Sequence, residues 1–135
     1  MIKNISNLGD SALYCNFGEE VNKETNSKVI DYFKSIQKKK IEGITNLTPS
    51  YNKLIVSFDL KKTNFNDLKK IVENIDTNRI KSETSKTIEI PICCEDYFSL
   101  DIEILEKKLS LNRDKIYENF FKKKYFCYMT GFIAG

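Results

Sequence analysis

The sequence predicts an α+β fold: a two-layer β-β-α-β-β-α domain, an antiparallel sheet with both helices on one face, then the strand-helix-helix-strand opening of a second domain. Short segments with apolar residues at every second position alternate with segments of helical period. Each strand carries a single apolar face, as in a sheet covered on one side only. A polar stretch without a period, residues 77–86 (TNRIKSETSK), separates the first six elements from the rest and reads as a linker. The boundaries follow: an N-terminal domain over 1–76, a linker over 77–86, and an incomplete second domain over 87–135. Those last residues are too few for a domain of ordinary size, so the chain is expected to break off inside it.

Residues 2–5 form a short first strand, and Asn7-Leu8-Gly9-Asp10 supplies turn chemistry. In the second strand Leu13, Cys15 and Phe17 share a face, and Gly18 ends it. Asn22 suits a helix N-cap, with Glu24 in the first turn and Val29, Ile30, Phe33 and Ile36 as the apolar stripe. The lysine run Lys38-Lys39-Lys40 then meets the negative helix end before Gly43. A hairpin follows over 44–48 and 53–58, turning at Pro49-Ser50-Tyr51-Asn52, with Leu54, Val56 and Phe58 on one face. Asn64 caps a second helix striped by Phe65, Leu68, Val72 and Ile75, with Ile71 alongside.

After the linker, Ile88, Ile90 and Ile92 alternate in a strand, with Pro91 suiting an edge or terminus. Two short helices are predicted next, one over about 101–109 (Ile102, Leu105, Leu109) and one after Asn112 (Ile116, Phe120). Residues 125–129 complete the series as a strand running into Gly131-Phe132.

Composition excludes several chemistries. The chain has no histidine, so it cannot build a Ser-His-Asp triad, a Cys-His dyad or a His-ligated metal site. The net charge of +3 is mild and its lysine runs lie at helix ends, which argues against nucleic acid as a partner. Four cysteines without a CxxC spacing fit reduced thiols in a cytosolic protein, and no metal site is inferred. The first residues lack the apolar core of a signal peptide and no run approaches transmembrane length, so a soluble cytoplasmic protein with no membrane partner is expected.

Five pieces of sequence, in order, resemble one family. They are Gly9-Asp10-Ser11-Ala12-Leu13 with Phe17-Gly18-Glu19-Glu20; Thr48-Pro49-Ser50-Tyr51 with Leu54-Ile55-Val56; and Glu89-Ile90-Pro91-Ile92-Cys93. Leu111-Asn112-Arg113-Asp114-Lys115-Ile116 and Tyr125-Phe126-Cys127-Tyr128-Met129-Thr130-Gly131-Phe132 complete the set. Together they resemble the family of the 5-oxoprolinase B-type subunit and allophanate hydrolase subunit 1, which also contains the inhibitor of the sporulation histidine kinase and occurs as a carboxyltransferase module. The resemblance implies that the second domain is a truncated cyclophilin-like β-barrel. It also implies an ATP-dependent amidohydrolase complex, with a homologue of the 5-oxoprolinase C-type subunit or of allophanate hydrolase subunit 2 as partner, and a possible homodimer. Its alternatives are a non-enzymatic regulator of a histidine kinase, or a truncated inactive copy. Three departures stand out: Cys94-Glu95-Asp96 where the family has Tyr-Gly-Gly, Asn119 where it often has His, and Ala134 in place of a proline.

By the family motif, Cys93, Tyr125, Tyr128, Gly131 and Phe132 are candidates to line a ligand pocket. Read from chemistry alone, Cys93 closing an apolar strand is more often a small core residue. Glu95 with Asp96 suits a solvated turn better than a metal or acid–base pair. Tyr125, Tyr128 and Phe132 in a strand more commonly form a core face plus one solvent-facing row, and only the resemblance brings a pocket near even with that reading. The glycines at 131 and 135 lack the Lys-Ser/Thr and helix of a phosphate loop.

Overall fold

Among the described residues, asparagine starts three of the four α-helices. In the computed structural model, which describes residues 1–77 and 86–131, Asn22 Oδ1 accepts the Thr25 N–H at 2.8 Å. Asn64 accepts from Asp67 at 3.0 Å and Asn112 from Lys115 at 2.9 Å. Each short amide satisfies a donor that the first helical turn leaves unpaired. The elements run β1 (Asn4–Asn7), β2 (Ala12–Asn16), α1 (Lys23–Lys39), β3 (Ile44–Pro49), β4 (Lys53–Phe58) and α2 (Phe65–Glu73). A 3-10 turn (Asp96–Phe98), α3 (Ile102–Leu109) and α4 (Arg113–Phe121) follow.

The sheet has the order β1-β2-β4-β3 and every pairing is antiparallel. Its centre is β2 against β4, with Leu13 opposite Val56 and Cys15 opposite Leu54. All four are fully buried. Ile5 of β1 joins the same face through its pairing with Cys15. Val29, Tyr32 and Ile36 of α1 and Leu68 and Val72 of α2, with Ile75 just beyond it, belong to one hydrophobic cluster with this face. The sandwich expected for the first six elements is therefore formed. Within α1 the buried stripe turns toward Tyr32, whose ring meets Phe17 edge-on at 5.2 Å, while Ile30 and Phe33 are half-buried.

Gly43 sets the turn from α1 into β3. Its φ is +88°, and a Cβ there would lie 2.8 Å from Thr63 Cγ2. Its carbonyl also accepts the Asp59 N–H at 2.8 Å. Glycine meets both demands, conformation and space.

The chain divides into two units, the first comprising described residues 1–77 and 127–131 and the second 86–126. The second unit departs from expectation in its strands, while Ile88, Ile90 and Ile92 are under-buried as strands short of partners would leave them. Residues 87–92 and 125–129 form no strand, and the described residues show two helices and a 3-10 turn but none of the barrel. A strand needs neighbouring backbone to satisfy its N–H and C=O groups, and no strand of the described sheet is laddered with either segment. Ile88, Ile90 and Ile92 are 77%, 75% and 51% exposed. Cys93 is exposed too, contrary to the core position its strand predicted. Of the two helical stripes only Ile102 is buried; Leu105, Leu109 and Phe120 face outward. No helix among the described residues is long and apolar enough to cross a membrane.

Three measurements test the first unit. Gly43→Ala should cost about 1–3 kcal/mol in urea unfolding, since a positive φ and a close contact fall on one new methyl group. Cys15 is free and buried, and burial pushes its thiol from an ordinary 9.0 up to about 12. Ellman's reagent at pH 8 should therefore modify Cys93 and Cys127 first and Cys15 only as the unit opens. Above pH 9 the unfolded chain releases this proton while the folded one holds it, so stability falls as pH rises from about 9 toward 12. Cys15→Ala should remove that component, a slope of about 1 kcal/mol per pH unit.

Candidate functional site

Two of the family-like motifs meet in the first unit. Asn26, in the first turns of α1, is buried, and its Nδ2 donates toward three carbonyls: Tyr51 at 2.9 Å, Ser50 at 3.2 Å and Tyr128 at 2.9 Å. The first two belong to the β3–β4 turn and the third to the 127–131 segment. The Tyr51 and Tyr128 rings lie 6.1 Å apart with a 41° tilt. Ser50 Oγ is 3.4 Å from Met129 Sδ. Asn26 stands where a helical stripe through Val29 and Ile36 would pass, so the side chain buried there is an amide that has to find partners.

A second network lies beside it, where the loop from β2 into α1 passes the start of β4. Asn52 is buried and donates to the carbonyls of Gly18 (2.8 Å) and Glu19 (3.2 Å). The Lys53 ammonium donates to Asn16 Oδ1 at 2.6 Å and to the Gly18 carbonyl at 2.9 Å. Asn16 Oδ1 also accepts the Gly18 N–H at 2.8 Å. The turn residue Asn52 thus orders the loop that leads into the helix carrying Asn26. Asn52→Leu should cost about 1–3 kcal/mol in equilibrium unfolding, because the Glu19 carbonyl loses this donor and the Gly18 carbonyl is left with Lys53.

The five residues singled out from the sequence fall in different places. Tyr128 and Gly131 belong to the first unit, Tyr128 half-buried and Gly131 exposed. Cys93 and Tyr125 belong to the second. Tyr125 is 66% exposed, its hydroxyl donating to the Phe120 carbonyl at 3.1 Å and its ring 5.3 Å from that of Phe120. Phe132 and Ala134 lie outside the described residues. Asn26, Asn52 and Lys53 were not singled out. The signal for Asn26 was a polar residue in line with an apolar stripe; nothing in the local sequence marked the other two.

In the second unit, Glu95 and Asp96 form the solvated turn that their chemistry suggested. Asp96 opens the 3-10 turn and pairs with the Arg113 guanidinium of α4. Ser99 Oγ and the Tyr117 hydroxyl share a 2.8 Å hydrogen bond, and Ser99 also donates to the Glu95 carbonyl at 3.0 Å. Asn119 is exposed on α4. A shallow hollow of about 470 Å³ is lined by Ser110, Leu111, Asn112, Asp114, Lys115 and Glu118. In the first unit a groove of about 330 Å³ runs between the end of α1 and β3, with Phe33, Ile41, Ile44 and Leu47 on its walls and Lys40 at its rim. Neither is lined by any of the five predicted residues. No group of three or more potential metal ligands occurs among the described residues. What the geometry provides is donors, carbonyls and aromatic surface, the chemistry of docking.

Known proteins resemble the chain as a whole. The family profile of the carboxyltransferase domain, subdomain C and D, matches residues 3–135. The B-type subunit of 5-oxoprolinase from Bacillus subtilis (strain 168) is 27% identical across 97% of this chain. The chain spans 60% of the length of that relative. Among solved structures, the conserved uncharacterized protein PH0987 from Pyrococcus horikoshii is 32% identical with a TM-score of 0.53, covering 89% of this chain and 56% of its own. TTHA0988 has a TM-score of 0.66 at 20% identity, covering 79% of this chain and 21% of its own, and shares the fold. With nearly every residue inside the family profile and the sandwich formed as the strand and helix periods predicted, the chain belongs to the carboxyltransferase-domain family, subdomain C and D.

Proposed function

We propose that the chain serves within an ATP-dependent amidohydrolase complex, in the place held by the 5-oxoprolinase B-type subunit or allophanate hydrolase subunit 1. The observation that carries this reading is the 27% identity to the 5-oxoprolinase B-type subunit extending over 97% of the chain, with the five motif pieces in order. In this proposal the second unit is the opening of a cyclophilin-like barrel, and the protein acts in the cytoplasm.

The chain's own chemistry assigns it a supporting role. It has no histidine, and Asn119, where the family often has one, has no basic nitrogen near neutral pH. The described residues do not fit a nucleotide. Each of the two hollows is lined by a single lysine, and Lys115 sits there with Asp114 and Glu118. Glu95 and Asp96 place carboxylates where the resembling family carries glycines, which disfavours a phosphate nearby. No step of ATP chemistry is therefore assigned to these residues. The proposal locates nucleotide and acid–base groups on a partner similar to the 5-oxoprolinase C-type subunit or allophanate hydrolase subunit 2.

Co-expression with a homologue of that C-type subunit provides the test. Co-elution, with ATP hydrolysis stimulated by 5-oxoproline or allophanate in the mixture but not in the chain alone, is the expected result. No association would sink the reading. Binding and inhibition of a sensor histidine kinase instead would assign the chain to a regulatory role.

A further inference from the structure

The three carbonyls around Asn26 set up an imbalance. A carboxamide has two N–H groups, and three acceptors lie within 3.2 Å of its nitrogen. Two are fixed close in the first unit, on adjacent residues of the β3–β4 turn. The third, the Tyr128 carbonyl, arrives from 102 positions away along the chain. Its neighbours Cys127, Met129, Thr130 and Gly131 are exposed. Residues 127–131 are therefore a largely exposed strap, tied down by the Asn26 amide, the tilted Tyr51–Tyr128 ring pair and the Ser50–Met129 approach.

We infer that Asn26 is a reversible latch, and that the 127–131 strap docks on and lifts from the β3–β4 turn as a conformational device of the first unit. The stoichiometry explains the reversibility. When the strap lifts, the two amide hydrogens keep the Ser50 and Tyr51 carbonyls, so no buried donor is orphaned. The Tyr128 carbonyl, freed on an exposed segment, takes water instead. Neither state carries the penalty that normally forbids breaking a buried hydrogen bond. The balance then turns on individually small contributions, among them a net hydrogen bond, a ring contact and the Ser50–Met129 approach, which leaves both states populated. Docked, the strap lies against the Tyr51 ring, which stays 46% exposed, and against the turn carbonyls; lifted, it leaves both to solvent. Local opening of this kind belongs to segments with few buried apolar contacts, which describes the strap and not the sheet beneath it.

Chymotrypsin cleavage after Tyr128, measured on the full chain, reads the lifted state. Asn26→Leu removes both donors without adding charge. It should raise the rate of that cleavage about tenfold, the weight of one net hydrogen bond. The buried Cys15 thiol serves as the internal control: it should stay as unreactive toward Ellman's reagent as in the parent chain. A faster cleavage with Cys15 protected supports the latch, and an unchanged cleavage with Cys15 protected overturns it. Should the substitution also expose Cys15, the sheet itself has opened and the unsubstituted chain decides. Nuclear Overhauser contacts from the Asn26 side-chain amide to Tyr128 then support the latch, and their absence overturns it.

Discussion

The register between β2 and β4 governs the rest of the first unit. Leu13 faces Val56 and Cys15 faces Leu54, and all four are shut off from water. Side chains alternate across a strand, so a slip of one residue would turn the whole set to the opposite face. Each large aliphatic side chain buried here is worth about 1.5–3 kcal/mol, far more than any surface contact in the unit. With this face fixed, α1 and α2 have somewhere to place their stripes, and β1 and β3 become the sheet's two edges. The polar networks at the sheet end follow from the same register. Asn16 pairs with Lys53 as the last step of the β2–β4 ladder, which brings the Lys53 ammonium to the Asn16 amide oxygen and the Gly18 carbonyl.

The second unit is organised on a different principle. Its described residues are tied by polar contacts: Asp96 with Arg113, Ser99 with Tyr117, and Glu106 accepting the Arg113 N–H at 2.8 Å. An exposed ion pair contributes only about 0–1 kcal/mol. Against that stand Tyr97, Phe98, Leu100 and the three isoleucines of 88–92, all more than half exposed. The Asp96 carboxylate is put to structural use, since it begins a turn that Arg113 clamps to α4.

Much of this was legible in local sequence. The three asparagine caps, the 13/15 and 54/56/58 alternations and the Ser50–Asn52 turn each depend on neighbours within a few positions. Tyr32 was harder. It adjoins Phe33, and a 3.6-residue period does not decide which of two adjacent aromatics faces the sheet until Phe17 is in place. The segment 87–92 shows the opposite limit: its alternation is real, but alternation specifies a face and not a partner. The site was legible only in pieces. The motifs around Tyr51 and Tyr128 could be recognised separately, whereas their meeting at Asn26 spans 102 positions and follows no period.

The strand order also has a kinetic meaning. β1 with β2 and β3 with β4 are neighbours along the chain, joined by short turns, and can pair in microseconds. The central β2–β4 pairing must instead close a loop containing all of α1, from Asn16 to Lys53, 37 positions apart. That closure carries the entropic cost of a non-local contact and sets the pace of assembly. The segment that meets Asn26 comes far later in the chain than both hairpins. On a ribosome it emerges after both hairpins, so its docking can only follow the synthesis of the sheet it meets.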